Sequence, residues 1–218
     1  KSYEEIAASG GGILSSIQNI RNVNEDQIFD ESLERVNFFL SHGTTTIEAK
    51  SGYGLTVADE LKSLRVIKRL NEVSKLDIIP TFMGAHAFPP EYEDNHDDYV
   101  DLICSEMIPA VADEKLAEYC DVFCEKGYFS VEDCRKILTT AQKHGMKVRL
   151  HADEFIDSGA AQLAAELGAV SADHLMAVSD AGIKAMAEKG VIAILLPGTT
   201  LFLGKTNYAK GRNIINRG

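Results

Sequence analysis

Strand and helix alternate along this chain with a regularity that leaves few folds open. Six short runs rich in β-branched or apolar residues, at 44–50, 77–84, 120–125, 146–151, 169–175 and 191–196, read as strands. Helical stretches separate them. Residues 24–42 carry a candidate N-cap in Asn24, acids in the first turns and Gly43 as a stop. Thr56 caps a second helix, whose Leu61, Leu64, Ile67, Leu70 and Val73 recur at helical spacing. Helical stretches are also expected at 96–107, 113–118, 130–144, 158–167 and 179–189, with a last one closing at Gly218.

Six strands each followed by a helix demand a parallel sheet with right-handed crossovers. An open doubly wound sheet and a closed barrel both satisfy that demand. The chain has neither G-x-G-x-x-G nor G-x-x-x-x-G-K-[ST], so nucleotide-binding open sheets lose weight. The units from residue 44 onward average about 29 residues, and eight of that size approach the roughly 250 of a complete barrel. The expected fold is α/β, a (β/α)8 TIM barrel of which the chain covers about six of the eight βα units.

The 218 residues are 45% hydrophobic and 25% charged, as in ordinary soluble globular proteins. A net charge of −11 argues against nucleic acid and anionic membrane as partners, and leaves a small-molecule substrate open. No apolar run approaches the roughly 18–20 residues that span a bilayer. The opening K-S-Y-E-E-I has no signal-peptide core, so cytoplasmic residence is the default. Cys104, Cys120, Cys124 and Cys134 form no C-x-x-C pair and read as reduced thiols.

Chemistry concentrates where strands end. The segment K-V-R-L-H-A-D-E, 147–154, closes an apolar strand with His151 and places Glu154 just beyond it. A neutral imidazole there suits zinc or iron, and a nearby carboxylate suits proton transfer or substrate binding. Alternatively Asp153, Asp157 or Ser158 simply start the next helix. A-V-S-A-D-H-L, 169–175, ends in Asp173 and His174, which alternation places on opposite faces. His174 is the candidate active-site group, and a structural histidine bonded to Asp173 is the alternative.

G-A-H-A-F-P-P-E-Y, 84–92, puts His86 after the second strand as a substrate contact or a loop-packing ring. In E-A-K-S-G-Y-G, 48–54, Glu48 and Lys50 share a face and could pair inside the barrel. Gly52 and Gly54 permit torsions that could aim Tyr53 inward. P-G-T-T, 197–200, could offer N–H groups to an anion or be a plain turn. His42 and His144 each precede a glycine and read as helix C-terminal groups; His96 reads as solvated.

Taken in order, A-A-S-G-G-G-I, T-T-T-I-E-A-K-S-G-Y-G-L, T-F-M-G-A-H-A-F-P-P-E-Y, H-A-D-E, S-A-D-H-L and L-L-P-G-T-T-L-F-L-G span the chain. Together they resemble the imidazolonepropionase family of the amidohydrolase superfamily. The resemblance implies a metal-dependent barrel plus a small β-rich domain built from both chain ends. It implies hydrolytic opening of 4-imidazolone-5-propanoate to N-formimidoyl-L-glutamate, a step of histidine degradation.

It also implies one zinc or iron ion held by an H-x-H pair, by His151 and by a last-strand aspartate. No H-x-H occurs here, so residues 1–218 are expected to be the central part of the barrel. The flanking domain and the first and last barrel strands would lie outside them. The substrate contacts implied are Tyr3, Tyr53, His86 and Glu154, with Glu154 and His174 as catalytic groups. A homodimer is one assembly the family reading admits. Other readings are a different amidohydrolase, such as a cyclic-amide hydrolase or aromatic deaminase, or an inactive barrel fragment.

Overall fold

In the computed structural model, which describes residues 13–218, all six strands join one sheet in chain order, every neighbouring pair parallel. They are β1 (Thr46–Lys50), β2 (Asp77–Ala85), β3 (Tyr119–Cys124), β4 (Lys147–Ala152), β5 (Ser171–His174) and β6 (Ile192–Ile194). Helices α1 (Ile13–Arg21) and α2 (Glu25–Ser41) precede β1, and α3 (Val57–Val73) follows it. After β2 come α4 (His96–Leu102) and α5 (Ile108–Asp113), joined by a π-helical turn at Ile103–Met107. Then α6 (Val131–Lys143) follows β3, α7 (Ala160–Glu166) follows β4, and α8 (Asp180–Lys189) follows β5. The short α9 (Pro197–Phe202) and α10 (Gly211–Ile215) follow β6.

The sheet is curled. Lys50 on β1 reaches Asp173 on β5 at 3.8 Å, whereas four strand spacings of about 4.8 Å would separate them in a flat sheet. The curl makes an inside and an outside. On β4, Val148, Leu150 and Ala152 are buried against the helices, while Arg149 and His151 alternate onto the inner face. Outside, Leu64, Ile67 and Leu70 of α3, Ile137 and Leu138 of α6 and Leu163 of α7 are buried in one core with Phe82, Val122 and Leu150. That outer layer fixes the strands and so the aim of every inner side chain.

Local details follow the sequence closely. Asn24 caps α2 and Ser130 caps α6, each in a reciprocal capping box. His42 and His144 sit at helix C-termini with Nδ1 on the carbonyls of Phe38 and Thr140. His96 is exposed but stacks on Phe88 at 3.6 Å between ring centroids. The helix expected at 113–118 ends instead at Asp113, because the chain turns through Lys115 at φ 52° to enter β3. The last helical stretch divides into α9 and α10, and the P-G-T-T run is the start of α9, a helix of only 6 residues. All four cysteines are free thiols.

Candidate active site

The inner face carries a polar layer that apolar packing alone would not tolerate. Lys50 Nζ lies 2.5 Å from Asp121 Oδ2 and 3.1 Å from Glu48 Oε1, so the Glu48–Lys50 pair read from strand alternation is present. Arg149 closes the layer, 2.7 Å from Glu48 and 3.6 Å from Asp173. Thr81 and Ser171 donate their hydroxyls to Glu48 at 2.6 Å and to Asp173 at 3.1 Å. Burial alone would raise Asp121, but His151 and Lys50 outweigh it and hold its carboxyl far below the usual range. Burial keeps Asp173 above its ordinary value, and Asp121 adds to the effect.

His151 stands on this layer. Its Nδ1 is 3.1 Å from the Asp121 carboxylate. Burial pulls the imidazole pKa down, but the charge and hydrogen bond of Asp121 override it and leave it raised. Ligand atoms of Asp121, His151 and Asp173 lie within 4.8 Å of one another. The field at this point favours added positive charge; the two carboxylates are already held by Lys50, and an imidazole oriented by one of them suits a divalent cation. With Nδ1 on Asp121, Nε2 is the His151 nitrogen left for a metal.

His174 comes to the same place. Its ring centroid is 5.1 Å from that of His151. Alternation predicted opposite faces for Asp173 and His174, yet both groups approach His151. The reason is a left-handed kink, with φ 73° at His174 and 57° at Leu175. The alternative of a His174–Asp173 bond is not what the chain adopts, since Asp173 is taken by Ser171, Lys50 and Arg149.

His174 Nδ1 is buried without a hydrogen bond. Glu154 Oε1 lies 3.4 Å away, close enough to feel it but not aligned to bond. Burial, then the charge of His151, lowers His174 to about 4, so it is neutral near pH 7. Burial pushes Glu154 up to about 7; His151 opposes the rise and Glu125 adds to it.

The loop after β4 is held by two carboxylates. Asp153, at φ 49°, accepts from the backbone N–H of Ser158, Ala160 and Ala161 at 2.9–3.1 Å and so caps α7 at a distance. Glu125 at the end of β3 accepts from Phe155 N–H at 2.7 Å. Glu154 is therefore presented by a loop tied down on both sides, and it is only 6% exposed. The helix-start reading of this segment is met by Asp153, which leaves Glu154 beside His174.

His86 follows β2 and is nearly buried. Its Nδ1 bonds the Gly52 carbonyl at 2.9 Å, and its ring is 6.2 Å from that of His151. Tyr53 presents its ring edge-on to His86 at 5.0 Å and is 40% exposed. Five of the six expected site residues, Tyr53, His86, His151, Glu154 and His174, thus share one end of the sheet. The sixth, Tyr3, lies outside the described residues. Asp121, Glu125 and Glu60 were not singled out in the sequence. Asp121 carries a signal that could have found it: a carboxylate at an inward position inside the apolar run Y-C-D-V-F-C.

No family model matches the chain. Among curated relatives it is 52% identical over 218 residues to an imidazolonepropionase of Clostridium tetani, covering 100% of this chain and 52% of that one. It is 53% identical over 218 residues to that of Shouchella clausii, covering 100% and 48%. It is 50% identical over 216 residues to that of Thermoanaerobacter pseudethanolicus, covering 99% and 52%. The chain spans about half the length of these relatives.

Solved structures share the fold at low identity. A 5-methylcytosine deaminase of Klebsiella pneumoniae superposes with TM-score 0.70 at 14% identity over 92% of this chain and 52% of that one. A mutant atrazine chlorohydrolase of Arthrobacter aurescens, complexed with zinc and atraton, gives 0.69 at 12% over 100% and 52%. The identities over the whole of these 218 residues decide the assignment: the chain belongs to the imidazolonepropionase family.

Proposed function

We propose that this chain is the central part of a metal-dependent hydrolase that opens the ring of 4-imidazolone-5-propanoate with water, giving N-formimidoyl-L-glutamate. The observation that supports this best is the meeting of His151, His174 and Glu154 at one end of the sheet, above a carboxylate that orients His151. On this reading residues 1–218 supply six βα units, and the flanking β-rich domain and remaining strands belong to the longer enzyme.

His151 would hold zinc or iron through Nε2, with Asp121 fixing the ring; the family's H-x-H pair and last-strand aspartate would complete the ligands. When bound, the ion supplies Lewis acidity and a water of lowered pKa. The residues of this chain do the rest. Neutral His174, its ring centroid 5.1 Å from that of His151, is close enough to the metal ligand to position the attacking water or the carbonyl oxygen. Glu154, poised near 7, can hold a proton and pass it to the ring nitrogen that leaves as the C–N bond breaks. Tyr53 and His86 orient the imidazolone, and Tyr3 is assigned the same role from the family motif alone.

The enzyme would act on a small molecule in the cytoplasm, with neither nucleic acid nor membrane as partner. No helix among the described residues is long and apolar enough to cross a membrane. The full-length enzyme should consume imidazolone absorbance with stoichiometric zinc or iron and release no ammonia. Ammonia release from an aminated heterocycle, with the imidazolone untouched, would establish a deaminase instead. Size-exclusion chromatography decides between monomer and homodimer.

A further inference from the structure

One buried carboxylate takes no part in the polar layer under His151. Glu60, in the first turns of α3, is fully buried. It accepts from the backbone N–H of Gly52 at 2.9 Å, Gly54 at 3.2 Å and Leu55 at 2.9 Å. The neighbouring Ser51 hydroxyl accepts from Met83 N–H at 3.0 Å and anchors the start of the loop to β2. An isolated buried carboxylate is costly, and three peptide donors offset that cost only while the loop keeps this shape. The loop is therefore built around the carboxylate.

That loop has unusual backbone. Gly52 sits at φ 102°, and a Cβ there would lie 2.7 Å from the Met83 carbonyl oxygen. Leu55 is at φ 58°. The Arg21 side chain holds the Gly54 carbonyl at 2.8 Å from outside and pairs with Glu91, which ties the β1 and β2 loops together. Two consequences reach the candidate site. Tyr53 hangs between two clamped glycines. The Gly52 carbonyl, aimed by the same clamp, meets His86 Nδ1. A carbonyl can only accept, so His86 must carry its proton on Nδ1 and leave Nε2 as an acceptor.

The geometry points to Glu60 as a positioning residue: through the 51–55 loop it sets the place of Tyr53 and the tautomer of His86. His86 is thereby selected to receive an N–H donor, which an imidazolone ring offers and an ester or ether oxygen does not. This rests on the reading of Tyr53 and His86 as substrate contacts. The tautomer, however, can be tested whatever the substrate.

The test uses the full-length enzyme with 15N-labelled histidine. Wild-type His86 should show the Nδ1–H tautomer. Glu60→Gln keeps the shape of the side chain but turns one acceptor oxygen into an N–H facing backbone donors. It should shift His86 toward the Nε2–H form and raise KM for imidazolonepropanoate about tenfold, with kcat nearly unchanged and metal content intact. A folded variant with wild-type tautomer and KM overturns the proposal. So does an Nε2–H tautomer in the wild type, which holds even if the variant fails to fold. Ser51→Ala should give a smaller shift in the same direction. If the tautomer behaves as stated but the wild type leaves imidazolone untouched, the proposed reaction fails and the role of Glu60 stands.

Discussion

His151 Nδ1 and the Asp121 carboxylate meet at 3.1 Å across the β3–β4 pair, and Asp121 in turn takes Lys50 at 2.5 Å. The imidazole is therefore gripped on one nitrogen by a charge that is itself neutralised from the other side. Such a grip fixes ring orientation and raises ligand basicity.

Asp121→Asn in the full-length enzyme should lower metal affinity roughly 10–100-fold. The protein should keep its barrel, since the amide is isosteric. Competition against a chelator with elemental analysis checks this. Metal retention equal to wild type would remove Asp121 from any role in holding the ligand.

Much of the site could be read from sequence because its residues break a local pattern. His151 and Glu154 follow an apolar run that has no packing use for them, and Glu48 and Lys50 fall on one face by simple alternation. The residues that escaped notice are polar groups in unremarkable settings. Glu60 looks like any first-turn acid after the Thr56 cap, and only the folded loop reveals that it faces inward. Asp121 lies in the run Y-C-D-V-F-C, whose apolar composition reads as plain core. The alternation rule failed at His174 because the residues Asp-His-Leu do not announce a positive φ. At that kink Leu175 N–H bonds the Ala152 carbonyl of β4 at 3.1 Å, a long-range contact that local sequence does not encode, and His174 approaches His151.

The pH dependence of stability has two opposing parts in enzyme stripped of metal by chelation. His174 and His86 are each lowered to about 4, from 6.5, burial being the main cause. Between those values the unfolded chain binds more protons, so both contribute stability that grows from pH 4 to pH 6.5. Glu154 is raised from 4.5 to about 7, so the folded state binds more protons there and its contribution falls over that window. Asp173, Glu60 and His151 are also raised and act on the same side as Glu154, so the Glu154 share is read as the difference between two proteins in which the other groups cancel. Relative to wild type, Glu154→Gln should gain melting temperature as pH rises through 4.5–7 and be higher by a few degrees above pH 7. Scanning calorimetry at several pH values checks it; a difference that does not change with pH would mean that Glu154 is not buried as described.

Lys50 stands among three carboxylates, and its burial is offset only by them. Lys50→Met leaves Asp121, Asp173 and Glu48 to share Arg149. Breaking a buried network in this way costs roughly 3–5 kcal/mol, which urea unfolding would register as a lower midpoint at unchanged slope. A variant within 1 kcal/mol of wild type, a bound set in advance at about the size of a single hydrogen bond, would show that Lys50 is a spectator.

Asp153 separates the capping of α7 from the presentation of Glu154. Its carboxylate serves three backbone N–H groups at the start of α7, and its own carbonyl accepts from Ala177 N–H at 2.8 Å. Asp153→Asn tolerates the left-handed torsion, as asparagine does. It exchanges a charge at a helix N-terminus for a neutral amide whose single oxygen cannot serve every donor. The stability loss should be about 0.5–2 kcal/mol, the range of a lost cap. The loop carrying Glu154 should loosen as well, so kcat should fall more than KM rises, while metal content stays at the wild-type level because His151 keeps Asp121. Thermal melts and steady-state kinetics on one preparation separate the two effects. A full cap penalty with unchanged kcat would place Glu154 outside the proton-transfer step.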